Sequence, residues 1–170
     1  MRDDNEFSDV VCLVPAAGMG SRLGGDIRKA LIPIAGKPLL LWTCEAIAKH
    51  PAVTEIIVAV HPDDMPEIEG PLWPLLSAAK VSIAVKGGRC RAESVWNMLE
   101  VIPPEAELIA IHDAARPFLS LSLFEMLMKT ANSCGAAVPI LPLTDTLKRI
   151  EGDDIIETVS RKGIVRVQTT

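Results

Sequence analysis

Several kinds of chemistry are missing from this chain. No apolar run is long enough to cross a bilayer, and Met1 to Phe7 are acidic and polar, without the basic-then-apolar plan of a secretory leader. The expectation is a cytoplasmic protein with no membrane partner. Basic charge is not in excess: 17 Lys and Arg stand against 22 Asp and Glu, a net charge of −5, so there is no general footprint for nucleic acid. Any cations that matter must be concentrated locally. Cys12, Cys44, Cys90 and Cys134 are scattered with no C-x-x-C pair, which argues against a zinc site or a disulfide framework and predicts buried free thiols. His50 and His61 fall at segment ends as solvated or capping residues, and His112 reads as a satisfied structural group. No His/Cys constellation supports metal hydrolysis or a nucleophilic triad.

What the chain does contain is alternation. Val10 to Pro15, Glu55 to Val60, Val81 to Lys86, Glu107 to Asp113 and Ala136 to Leu143 are short, apolar and rich in β-branched residues, as strands covered on both faces should be. Between them, Pro38 to Lys49, Pro71 to Lys80, Arg91 to Val101 and Ser120 to Ser133 carry apolar residues at helical spacing, with Trp42, Trp96, Met126 and Met128 read as packing residues. The order predicts an α/β fold: a doubly wound, mainly parallel sheet in a single domain over 1–170, with ligands at the carboxyl ends of the strands. Leu147 to Val159 alternates instead, around Gly152-Asp153-Asp154. It reads as a protruding β-hairpin arm, about 144–163, which packs on a twin subunit because a lone ribbon is marginal in water.

The densest signal follows the first strand. Pro15, Ala16, Ala17, Gly18 and Gly20 let a backbone wrap closely around a nucleotide, their N–H groups can meet phosphate oxygens, and Arg22 and Lys29 can flank a triphosphate. A dinucleotide fingerprint would need a third glycine where Leu23 stands, and no G-x-x-x-x-G-K-[ST] string occurs. A nucleotidyl-transfer loop of the form small-small-G-x-G-x-R followed by Lys matches every position. Gly87 and Gly88 before Arg89, Arg91 and Ser94 offer base or phosphate contact after the third strand. His112 to Pro117 ends the fourth strand, where Asp113 is placed for a ribose hydroxyl or a magnesium ion, and Arg116 could pair with a neighbouring acid. Thr144-Asp145-Thr146 ends the fifth. All four clusters are expected on one rim.

Taken together, P-A-A-G-x-G-x-R with Lys29, G-G-x-x-R-x-x-S at 87–94, H-D-A-A-R-P at 112–117, D-T-x-K-R at 145–149 and T-V-x-R-x-G at 158–163 resemble the 2-C-methyl-D-erythritol 4-phosphate cytidylyltransferase family of the non-mevalonate isoprenoid pathway. The resemblance runs from Val10 to Thr169. It implies attack of a sugar-alcohol phosphate on the α-phosphorus of CTP, with magnesium and release of pyrophosphate. Arg22 and Lys29 would be catalytic; Ala16, Ala17, Gly88 and Ser94 would line the cytidine site, and Asp113 and Ala114 the ribose or metal side. It further implies a homodimer in which the arm carries Thr146 and Arg161 to the acceptor in the neighbouring subunit's site, with Thr169 also on the acceptor side. The family continues beyond the position of Thr170 with a further helix and strand and another active-site lysine. The expectation is thus a truncated chain or a shortened homologue. Arg89 stands where many members carry an acidic or small polar residue. Ribitol-5-phosphate cytidylyltransferases look much alike in the nucleotide half, and a non-catalytic nucleotide-binding dimer is the alternative outside enzymes.

Overall fold

Strand β1 (Val10–Pro15) is buried from Val10 to Val14, the mark of a strand with both faces covered. A computed structural model of the chain describes residues 7–18 and 28–168, so the expectations placed on Gly20, Arg22 and Thr169 lie outside the described residues. Beside β1 run β4 (Val53–Val60), β5 (Val81–Lys86) and β6 (Leu108–Ile111), all parallel, in the order β5-β4-β1-β6. Successive strands therefore step outward from β1 to β5, and β6 returns to the other side of β1. That reversal is the switch point of a doubly wound sheet, the place where such folds open a crevice.

Helices cover the sheet unequally. Val10, Cys12, Val14, Ile56 and Val58 point to one face, against Leu40, Leu41, Cys44 and Ile47 of α1 (Leu39–Ala48), Ile68 of α2 (Met65–Glu69), Leu76 of α3 (Trp73–Ala78) and Phe124 of α5 (Leu121–Cys134). Val11, Leu13, Ile57 and Ala59 face the other way, against Met98 of α4 (Arg91–Leu99). Each buried aliphatic side chain of this kind contributes about 1.5–3 kcal/mol. Truncating Phe124, fully buried on α5, would cost about 3–5 kcal/mol. Helix α5 starts where Ser120 accepts a hydrogen bond from the Leu123 N–H and stops at Gly135, whose φ of 86° suits a left-handed cap. The two-residue strands β2 (Pro33–Ile34) and β3 (Lys37–Pro38) form a small antiparallel turn ahead of α1.

Several expectations are corrected. Ala136 to Leu143 is not a fifth strand of the parallel sheet: only β7 (Ile140–Pro142) is extended, exposed and antiparallel to β10 (Val165–Val167). Pro139 and Pro142 remove ladder donors, which confines the segment to edge pairing. The helix expected over Pro71 to Lys80 is shorter, and α2 precedes it, separated by Gly70. Trp96 and Met126 lie on the open sides of α4 and α5, 62% and 57% exposed, so they are not packing residues. Cys12 and Cys44 are buried as expected, but Cys90 and Cys134 are exposed. His50 is buried rather than solvated, its Nε2 2.6 Å from Glu125 and its ring against Phe7 and Phe124, but it does cap the following turn, its Nδ1 accepting from the Ala52 N–H at 3.3 Å.

The chain divides into two compact units, Met1–Ala137 and Val138–Thr169. In the second, β8 (Leu147–Glu151) and β9 (Asp154–Val159) form the expected hairpin, turning at Gly152 with φ 59°. Arg149 and Glu157 pair across it at 2.6 Å, and Ile150, Ile155 and Ile156 are exposed. The Arg161 guanidinium donates to the Thr144 carbonyl. Thr146 and Arg161 belong to this second unit; three of the four expected clusters belong to the first.

Candidate active site

The switch point between β1 and β6 opens into a cavity of about 630 Å³, lined among the described residues by Pro15 to Gly18, Lys29, Ala30, His61, Gly88 to Arg91, Ser94 and Asp113 to Ala115. Eleven residues singled out from the sequence thus converge: Pro15, Ala16, Ala17, Gly18, Lys29, Gly88, Arg89, Arg91, Ser94, Asp113 and Ala114. Each is delivered by an element end. The Ala16 N–H donates to the Ala59 carbonyl at 2.7 Å, extending the β1–β4 ladder so that the chain leaves the sheet only at Ala17. The His112 N–H donates to the Leu13 carbonyl at 3.0 Å and does the same for β6, releasing Asp113 into the crevice.

Buried polar groups hold these loops. On α1, the Thr43 hydroxyl donates to the Ala114 carbonyl at 2.7 Å, fixing the far wall from beneath. His112 is fully buried, its Nε2 lies 2.9 Å from the Arg116 carbonyl, and burial pushes its pKa below the ordinary value; it is the structural group expected. Ser94 is 3% exposed and its hydroxyl is already engaged, accepting from the Gly88 N–H and donating to the Cys90 carbonyl, both at 3.0 Å. Ser94 therefore shapes the Gly88 loop as well as lining the cavity. Gly87 lies behind the wall: a methyl group there would come within 2.1 Å of the Ala17 side chain. Only glycine allows the first and third strand ends to approach so closely.

Charge is distributed around the rim. Arg91 donates to Asp113 from Nε and Nη2, at 3.3 and 3.0 Å, and Arg116 lies 3.5 Å from the other oxygen of the same carboxylate. Arg116 is the acid's partner that its position suggested. Arg89 pairs with Glu93 at 3.2 Å, while Lys29 makes no ion pair among the described residues. Asp113 is the one carboxylate among the described lining residues. Cations grouped with a single acid suit a bound polyphosphate better than a neutral ligand.

Sequence reasoning missed Ala30, His61, Cys90 and Ala115 as lining residues. His61 had a usable signal, since it follows β4 directly and carboxyl ends of parallel strands are where ligands gather. Its Nδ1 accepts from the Asp63 N–H at 3.2 Å, the capping role expected.

A glycine-containing loop at the switch point, with cations around one carboxylate, is an arrangement suited to an α/β nucleotidyltransferase, the class to which the relatives below belong. A family model for 2-C-methyl-D-erythritol 4-phosphate cytidylyltransferase matches residues 10–170. The chain belongs to that family. It is 36% identical over 158 residues to the enzyme so named from Microcystis aeruginosa, covering 92% of this chain and 70% of that one. The corresponding Saccharopolyspora erythraea protein is 38% identical over 165 residues, covering 94% and 72%. Among solved structures, the Thermus thermophilus 2-C-methyl-D-erythritol 4-phosphate cytidylyltransferase superposes with a TM-score of 0.71 at 34% identity, over 95% of this chain and 68% of that one.

Proposed function

We propose that this chain transfers the cytidylyl group of CTP to 2-C-methyl-D-erythritol 4-phosphate, giving 4-diphosphocytidyl-2-C-methyl-D-erythritol and pyrophosphate. A phosphate oxygen of the acceptor attacks the α-phosphorus, the bond to the β-phosphate's bridging oxygen breaks, and pyrophosphate carries away the charge. The acceptor phosphate is largely ionised near neutral pH, so no base has to make the nucleophile. The difficulty is bringing an anion against a polyanion, which is electrostatic and positional work. One observation carries the reading: Lys29, Arg91, Ala16 to Gly18 and Gly88 line a single cavity at the switch point. Lys29, together with Arg22, would stabilise the triphosphate and the transition state. The wall formed by Gly88 and Ser94 would take the base, and Asp113 with Ala114 the ribose side.

Magnesium belongs to this reading. Mg²⁺ on a triphosphate is typically held by one or two carboxylates with phosphates and water completing the shell, so the lone Asp113 fits. Asp113 would hold the ion, and Arg91 and Arg116 orient that carboxylate. When bound, the ion supplies charge neutralisation on the phosphates.

A homodimer is the remaining part. The hairpin leaves Ile150, Ile155 and Ile156 open, and a second copy would cover them. Thr146, Arg161 and Thr169 would then serve the acceptor in the neighbouring subunit. No helix among the described residues is long and apolar enough to cross a membrane, and a reducing, cytoplasmic setting would keep the four cysteines as thiols.

The test is pyrophosphate release with each of the four nucleoside triphosphates against methylerythritol phosphate and ribitol phosphate. CTP with methylerythritol phosphate should stand alone. Release with ribitol phosphate only would reassign the acceptor, and nucleotide binding without release would favour the non-catalytic alternative.

A further inference from the structure

Arg28 is not among the described residues lining the cavity, yet it joins two that are. Its guanidinium fork spreads over two carboxylates: Nη1 donates to Asp64, and Nη2 donates to Asp63 at 2.8 Å. These acids end the single helical turn Pro62–Asp64 that follows β4. The same turn is tied to His61, whose carbonyl accepts from the Asp64 N–H at 2.9 Å and whose Nδ1 accepts from the Asp63 N–H at 3.2 Å. On its other side, Arg28 heads the turn Lys29–Leu31: its carbonyl accepts from the Leu31 N–H at 3.0 Å, and the Lys29 carbonyl accepts from the Ile32 N–H at 3.2 Å. One planar fork therefore locks the backbone root of Lys29 to the turn after His61, whose Asp63 and Asp64 lie 35 and 36 residues beyond Arg28 in sequence.

The arrangement matters because Lys29 is a point charge on a long, flexible stem. The protein can preset such a cation chiefly by fixing its Cα. We infer that Arg28 is a positioning residue for nucleotidyl transfer, which sets the place of the Lys29 ammonium across the cavity by clamping Asp63 and Asp64. This rests on the reading of Lys29 as the triphosphate-binding cation. Asp64 is only 8% exposed, so the clamp also compensates a buried acid, and a test must separate that structural service from positioning.

A mutant cycle does so, read both on kcat for pyrophosphate release and on the dissociation constant for CTP with magnesium, so that either quantity decides. In R28M/D64N the clamp is gone but no acid is left buried and unpaired; we expect a folded protein with kcat reduced about 10- to 100-fold and CTP binding weakened, the scale of an ångström-sized misplacement. R28K, which reaches one carboxylate but not two, should fall between it and the parent. In a K29M background, R28M/D64N should change neither quantity by more than about twofold, because Arg28 acts through Lys29. A folded R28M/D64N with parental kcat and affinity, beside a K29M that has lost both, would overturn the clamp alone. Losses that multiply fully with K29M would overturn it too. A K29M protein equal to the parent would remove the reading of Lys29 and the clamp with it.

Discussion

Replacing Gly87 with alanine isolates how closely the two glycine loops must approach. The φ of Gly87 is not in the left-handed region, so the substitution carries no backbone penalty, and its whole effect is steric. The new methyl would lie 2.1 Å from the Ala17 Cβ and 3.2 Å from both the Ser94 hydroxyl and the Val60 carbonyl. Carbon atoms rest about 3.5–4.0 Å apart, so the loops must separate by about 1.5 Å. Val60 cannot yield without breaking the 2.7 Å bond from the Gly87 N–H, and Ser94 is held at both ends, so the retreat falls on Ala17. Overpacking of this sort costs about 1–3 kcal/mol of stability. Because Ala17 lines the cavity, the same shift should lower kcat/KM for CTP by about a hundredfold. Pyrophosphate-release kinetics beside a thermal melt measure both. A G87A protein with parental melting and parental kcat/KM would refute the claim that this contact sets the width of the nucleotide site.

Three other outcomes are expected. Lys29→Ala should lower turnover by a hundredfold or more, as loss of a preorganised charge does, with an unchanged circular dichroism spectrum and melt. His112 should give stability an acid limb: burial holds its pKa below 6.5, so the unfolded chain takes up the proton first, and stability rises with pH up to about 6.5 and is lost as the pH falls through that window. Melting temperature against pH checks it, and His112→Gln should flatten that limb. The buried thiols should be inert, Cys44 pushed up to about 12 by burial and Cys12 raised further by the same cause, whereas Cys90 and Cys134 are exposed. A thiol titration should therefore find two reactive groups in the native protein and four in guanidinium, with CTP shielding Cys90, which lines the cavity.

What could be read without coordinates follows from locality. Strand β1 was legible to the residue because a parallel strand covered on both faces is an unbroken apolar run, and the hairpin because Gly152 marks its turn between two alternating stretches. The rim rule then collected Pro15 to Gly18, Gly88, Arg91 and Asp113 around one cavity. Where the reading failed, the determining fact was distant or depended on which face is covered. Apolar spacing on α4 does not say that Trp96 faces outward, and nothing near His50 announces Glu125, 75 residues on. Ala136 to Leu143 looks like a core strand by composition, but its prolines exclude it from a central ladder. Arg28 is invisible for the same reason as His50, since its meaning lies in Asp63 and Asp64.

A crystal structure of the chain with CTP, and manganese in place of magnesium, tests the nucleotide site at the β1–β6 switch point. The triphosphate should lie between Ala16 to Gly18 and Lys29, the base against Gly88, with an anomalous manganese peak beside Asp113. A nucleotide bound away from the β1–β6 switch point, or a triphosphate with Lys29 turned from it, would contradict the central claim.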